Sequence, residues 1–124
     1  MIKTIITILT ASVLVTEVFT FPNKQSGTAS WYGSKFHGRT TRYGEKYDMN
    51  KLTCASNTYP YNTILKVTNT RNGKSVLVRV TDTGGFDKYN RIIDLSRAAF
   101  ARIESLDKGL ARVVIEKVET ENLK

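Results

Sequence analysis

Apolar residues in this chain alternate over short stretches and seldom recur with a helical period. The clearest case flanks Asn72-Gly73, with Ile64, Leu65 and Val67 before it and Val76, Leu77, Val78 and Val80 after it. Asn-Gly between β-branched runs predicts a hairpin, because both residues tolerate positive φ. The second arm runs out through Val80-Thr81-Asp82-Thr83-Gly84-Gly85, setting a carboxylate at a strand end before a Gly-Gly turn. Gly27 to Tyr32 (GTASWY) mixes small, β-branched and aromatic residues as a first strand would. Gly33 to Tyr47 has no apolar period and predicts a long structured loop, where binding groups tend to sit. Arg91 to Leu95 reads as another strand. Ser96 is a candidate N-cap for a brief helix, Arg97 to Ile103, with Ala98, Ala99, Phe100 and Ile103 as its apolar face. After Gly109, a closing strand from Ala111 to Val118 sets Val113, Ile115 and Val118 against Val114, Glu116 and Lys117. Short strands with one small helix and no βαβ rhythm predict a small closed barrel, which removes exposed edges.

Residues 1–20 follow a different pattern. Lys3 precedes an apolar stretch from Thr4 to Val15, which Glu17 interrupts. A membrane-spanning helix needs about 20 apolar residues, whereas a secretory signal needs about 7–15. Residues 1–20 therefore read as an export signal, with an uncleaved anchor as the other reading. No Leu-x-Gly-Cys stretch offers a lipid attachment point. Residues 21–26 read as a linker, and 119–124 as a polar tail.

The 124-residue length allows one domain. The single cysteine, Cys54, excludes an intrachain disulfide and a CxxC zinc or redox site. The net charge is +8, and Lys3 and Glu17 cancel, so the basic character belongs to residues beyond the signal. Such a charge attracts polyanions in general. No arginine-rich recognition helix or aromatic-paired sheet supports nucleic acid as the partner. An exported chain meets the cell wall instead.

Catalytic chemistry narrows to three carboxylates. His37 is the only histidine and has no ligand-spaced companions for a metal. No Gly-x-Ser-x-Gly elbow accompanies it, which excludes a serine nucleophile of that type. Glu45 lies in the polar loop, Asp82 at a strand end and Asp94 inside an apolar strand. Glycosidic cleavage requires a proton donor and often a second carboxylate. A carboxyl group among apolar strand residues has its pKa raised and can serve as that donor. Each residue also has a plainer reading: Glu45 as a solvated loop charge, Asp82 as a turn residue, Asp94 as a partner for Arg91 or Arg97. Trp31, Tyr32, Tyr43, Tyr47, Tyr59, Tyr61 and Tyr89 offer faces on which sugar rings stack, or simply pack a core.

Three stretches in order, ASWYGSKFHGRTTRYGEKYDMNKLTCAS, LKVTNTRNGKSVLVRVTDTGGF and RIIDLSRAAFARI, resemble the rare lipoprotein A (RlpA) family. The likeness runs from Gly27 to Val118. Proteins of that family are bacterial endolytic peptidoglycan transglycosylases with a double-psi β-barrel domain; expansins and some endoglucanases are more distant relatives. The resemblance implies a mainly β fold over residues 27–118, a six-stranded double-psi barrel with one or two short helices and a groove for glycan strands. It implies cleavage between N-acetylmuramic acid and N-acetylglucosamine, favouring strands stripped of stem peptides, with no metal and no cofactor. An acid protonates the glycosidic oxygen, and the muramyl 6-hydroxyl then closes on C1 to leave a 1,6-anhydro end.

Matched one position at a time, Glu45 in YGEKYDMN falls on the family's glutamate. Asp82 in VTDTGGF falls on the aspartate of its Asn-Asp-Arg-Gly-Pro-Phe segment. Asp94 in RIIDLS falls on an aspartate that the expansin branch uses in its groove. The family histidine, in Ala-Ala-His-x-Thr-Leu-Pro, falls on Ser56 of CASNTYP. Thr83 and Gly85 replace the arginine and proline after the aspartate. Cys54 stands where the family has a small residue, and reads as a buried small hydrophobe. The expectation is a lyase with Asp82 as acid/base and Glu45 in support, and with Trp31, Tyr32, Ser56 and Asp94 contacting substrate. The alternative is a non-catalytic, expansin-like module that binds glycan without turnover. The expected partner is peptidoglycan, with cell-wall or division proteins as further candidates. The chain is expected to be a monomer, exported to the periplasm or cell envelope.

Overall fold

The computed structural model describes residues 23–119. The export segment expected over residues 1–20 lies outside the described residues, as does the tail beyond Glu119. Six strands are described: β1 (Lys24–Tyr32), β2 (Thr53–Ala55), β3 (Ile64–Asn69), β4 (Ser75–Asp82), β5 (Arg91–Ser96) and β6 (Leu110–Lys117). One α-helix, α1 (Arg97–Ile103), is found among the described residues. The strands close into a barrel in the order β1-β5-β2-β4-β3-β6, with β6 returning to β1. Closure leaves no strand edge to pair with another chain. The β1/β5 and β2/β4 pairs are parallel; the others are antiparallel. Parallel neighbours cannot be joined by a tight turn, so the chain crosses the barrel mouth in long loops, and those loops build the site.

The alternation seen in the sequence is the barrel's inside and outside. Leu65 and Val67, Val76, Val78 and Val80, Ile93 and Leu95, and Val113 and Ile115 fill one buried cluster with Ala29 and Cys54. Ala99, Phe100 and Ile103 of α1 join the same cluster. The helix has the expected bounds and cap: Ser96 Oγ accepts the Ala99 N–H at 3.2 Å and donates to the Lys51 carbonyl at 2.6 Å. One hydroxyl thereby ties the helix start to the loop before β2.

Three elements differ from expectation. β1 starts at Lys24, inside the segment read as linker, because residues 24–30 pair with β6 through backbone groups that need no apolar side chains. β2 carries no alternation signal: its three residues, Thr53-Cys54-Ala55, are all buried. The hairpin turn is a five-residue loop, residues 70–74, in which only Gly73 takes positive φ (76°). Asn69 organises it, accepting the Arg71 N–H on Oδ1 and donating from Nδ2 to the Ile103 carbonyl at 2.8 Å.

Replacing Ser96 with alanine removes the cap and the link to Lys51 together. The expected loss is about 1–2 kcal/mol, read from urea denaturation of Ser96→Ala. A midpoint equal to wild type would show that the cap contributes nothing.

Candidate active site

A single row of paired residues sets the site. Across β4, β2, β5 and β1, Asp82 pairs with Ala55, Ala55 with Asp94, and Asp94 with Ser30. Paired residues on adjacent strands point to the same side of a sheet, and Ser30 Oγ donates to Asp94 Oδ1 at 2.8 Å. With neighbouring strands about 4.8 Å apart, the Cα atoms of Asp82 and Asp94 stand roughly 10 Å from each other. Only the methyl group of Ala55 lies between them in the row.

Asp82 reaches this face through an irregularity. Strict alternation would send it inward behind Val76, Val78 and Val80. The β2/β4 register slips instead: Cys54 faces Val80, and the next residue, Ala55, faces Asp82. Thr81 is the extra residue, and such a bulge re-aims the side chain that follows.

A cleft of about 540 Å³ opens over the row, and both carboxylates line it. Tyr32, Tyr47, Ala55 and Phe86 form its apolar floor. Tyr32 stacks on Tyr47 with ring centroids 4.1 Å apart and meets Phe36 edge-on at 6.0 Å. The Tyr47 hydroxyl donates to the Tyr32 carbonyl at 2.5 Å and accepts the Arg97 N–H at 3.2 Å. The buried Tyr32 hydroxyl has no partner among the described residues.

The two carboxylates have different surroundings. Asp82 Oδ1 accepts the backbone N–H groups of Arg42 and Thr83, each at 2.8 Å. This fixes the side chain from the loop on one side and the turn on the other. Burial pushes the pKa of Asp94 above the usual carboxylate value, opposed by the Ser30 hydrogen bond and the Arg91 charge, while the nearby Asp82 charge raises it further. Asp94 is therefore the group disposed to hold a proton.

Glu45 does not line this cleft. The Arg79 guanidinium grips both its oxygens, at 2.5 and 2.8 Å, and the Tyr61 hydroxyl donates to Oε2. These bonds hold its pKa down to about 2, so it carries no proton to give near neutrality. Ser56, expected to contact substrate, is buried at 2% exposure and does not line the cleft. Its Oγ accepts the Thr58 and Tyr59 N–H groups, both at 3.1 Å, as a turn residue does. Trp31 packs on Phe100 and donates its indole N–H to the Leu106 carbonyl at 3.3 Å. It also lines a groove that continues from the cleft past Tyr32 and Asp94. His37 Nδ1 accepts the Met49 N–H at 3.2 Å, a backbone-bonding loop role. Cys54 is buried in the barrel core.

Sequence reasoning missed Ala55, Arg39, Lys88 and Arg91 as cleft residues. The alanine carries no chemical signal of its own, and the three cations are unremarkable in a chain of net charge +8. Arg39 does fall within the loop expected to bear binding groups.

The sequence profile described as lytic transglycolase matches residues 24–115. The chain belongs to the RlpA family of lytic transglycolases. It is 53% identical over 94 residues to the endolytic peptidoglycan transglycosylase RlpA of Neisseria meningitidis serogroup A, covering 76% of this chain and 39% of that protein. The RlpA of Vibrio cholerae serotype O1 is also 53% identical over 94 residues, covering 76% of this chain and 35% of its own length. The chain thus spans less than half the length of these curated relatives. Among solved structures, Streptomyces papain inhibitor matches with a TM-score of 0.65 at 24% identity, covering 81% of this chain and 100% of the inhibitor. Apo expansin from Clavibacter michiganensis matches with a TM-score of 0.62 at 22% identity, over 77% of this chain and 50% of the expansin. Likeness at these identities shows the fold, a mainly β double-psi barrel.

In this RlpA-family chain, the Glu45–Arg79 pair fastens the loop of residues 33–52 to β4 and has a defined acid dependence. A folded pKa of about 2 against 4.5 for a free glutamate contributes stability that is present above pH 4.5 and lost as pH falls through 2. The pair is a third exposed, so Glu45→Gln is expected to cost less than about 1 kcal/mol at pH 7. The gap to wild type should close as the pH approaches 2, followed by urea denaturation across that range. A gap that persists at full size at pH 2 would assign the loss to something other than the ion pair.

Proposed function

We propose that this domain is an endolytic peptidoglycan lytic transglycosylase, cleaving between N-acetylmuramic acid and N-acetylglucosamine to leave 1,6-anhydro ends. The observation that carries the reading is the pair Asp82 and Asp94, set either side of Ala55 in one cleft and in unlike surroundings. Two carboxyl groups whose environments separate them divide the acid and charge-stabilising roles. Asp94, whose pKa burial raises, gives its proton to the glycosidic oxygen. The C1–O bond breaks with its electron pair on the leaving sugar. The Asp82 carboxylate faces the oxocarbenium-like centre and stabilises it. The muramyl 6-hydroxyl then attacks C1 and returns its proton to Asp94, so no water is consumed. This moves the proton from Asp82, the acid expected from the motif, to Asp94, and gives Glu45 a structural part. The N. meningitidis and V. cholerae relatives are named for this class of reaction. On this reading the chain works as a monomer outside the cytoplasm, in the periplasm or bound to the envelope.

One observation favours a second reading, a glycan-binding module without turnover. The family's histidine position is occupied by Ser56, whose hydroxyl is committed to a turn. The cleft therefore has no imidazole to share a proton.

Mass spectrometry of glycan strands after incubation separates the two. New 1,6-anhydro ends are expected from wild type, none from Asp94→Asn, and at least about 100-fold fewer from Asp82→Asn. Reducing ends would mean hydrolysis, and bound but intact strands would establish the binding module. The rate should also fall as pH rises through the raised pKa of Asp94, because the donor must be protonated. Removing the Asp82 charge lowers that pKa, so Asp82→Asn should move the alkaline limb to lower pH. A limb that does not move would remove Asp94 from the acid role.

A further inference from the structure

We infer that the cleft recognises a carboxylate carried by the glycan strand and that Arg91 is the residue that takes it. The inference rests on the reading above for its substrate and adds a specificity determinant to it. Among the described residues, ion-pair contacts join Arg71 to Glu104, Arg79 to Glu45 and His37 to Asp48. None involves Arg39, Lys88 or Arg91, the three cations that line the cleft. The groove beyond Tyr32 and Asp94 adds Lys35 and Arg97. Five cations thus share one continuous surface with two carboxylates, Asp82 and Asp94.

Unpaired cations are ordinary on a basic surface, but these are held in place. The Arg39 guanidinium lies 5.6 Å from the Phe36 ring centroid, and Lys88 and Arg91 lie 5.4 and 5.0 Å from that of Tyr89. An aromatic face restricts a cationic head without consuming its N–H donors. Arg91 goes further: it is half-buried, and no ion pair holds its guanidinium among the described residues. A guanidinium fork matches a carboxylate in geometry. Asp94, three residues along β5, feels the Arg91 charge but is not joined to it by a hydrogen bond. Arg91 also lines the cleft and both hollows that continue it. It stands where a strand lying across the site must pass.

A neutral glucan or chitin chain brings no anion to such a surface. A peptidoglycan strand brings carboxylates from two sources: the free lactyl group of an unsubstituted muramic acid, or the stem peptide. The test uses the 124-residue chain carrying Asp94→Asn to stop turnover, with and without Arg91→Gln. Dissociation constants are measured by calorimetry for peptide-free strands and for strands that keep their peptides, each before and after amidation with methylamine, and for chitin oligosaccharides. Amidation of the tighter-binding strand should weaken its binding about tenfold, and Arg91→Gln should weaken binding of that strand, untreated, by a similar factor. Amidated strands and chitin should respond to Arg91→Gln by less than about twofold, because the partner is already missing. Tighter binding of peptide-free strands would assign the lactyl carboxylate, and tighter binding of peptide-bearing strands the stem. Equal losses on the untreated and amidated forms of the tighter-binding strand would overturn the inference, as would amidation without effect on it. Strands bound through Arg91 but never cleaved by wild type would end the transglycosylase reading and leave this one intact. Failure to bind any strand overturns both.

Discussion

The site depends on one slip in strand register. Between Cys54 and Ala55, the partner strand uses three residues, Val80 to Asp82, where two would keep pace. Were Thr81 paired in regular register, the alternation that buries Val76, Val78 and Val80 would bury Asp82 as well. An unpaired carboxylate inside a barrel of valine and leucine would be strongly destabilising. With the slip, the same carboxylate faces out beside Ala55 and opposite Asp94. The bulge lets one short strand serve the core over most of its length and the chemistry at its end.

Three acidic side chains show how location decides what a carboxyl group can do. Glu45 meets a guanidinium and a phenol, so it is held ionised and acts as a clasp between a loop and β4. Asp94 meets a hydroxyl in a buried setting, so it keeps its proton more readily. Asp82 is pinned by two backbone N–H groups, one from the loop at Arg42 and one from Thr83 in the turn that follows it. The clasp and the pin are connected: the loop that donates the Arg42 N–H to Asp82 is the one Glu45 fastens to Arg79. The ion pair therefore helps keep the cleft wall in register with the strand that carries Asp82.

Ser56 illustrates a different economy. Its side chain, expected to contact substrate, is given to the backbone, where a short hydroxyl satisfies two turn donors. What remains in the cleft is a pair of carboxyl groups, an aromatic floor and a rim of cations. In the proposed mechanism that set serves an intramolecular displacement, in which one group gives and retakes a proton and no water is activated.

Much of the fold is legible in the residues themselves. The alternation around Asn72-Gly73, the Ser96 cap and the apolar face of α1 follow from periodicity and local hydrogen bonding, which are properties of short segments. The order of the motifs was sufficient to indicate the family, and the charge excess to favour an anionic partner. The rest depends on which strands become neighbours. β2 has no pattern to read, since a three-residue strand buried on both sides looks like any apolar fragment. Ala55 gains its meaning only from standing between Asp82 and Asp94, residues 27 and 39 positions later in the chain. Glu45 and Asp94 are both carboxylates at motif positions, and nothing local says that one meets Arg79 while the other is buried. The sequence by itself determined the segments and the chemistry they carry. The closing of the barrel decided which of those groups share a cleft, because register and burial are set by contacts between strands distant in the chain.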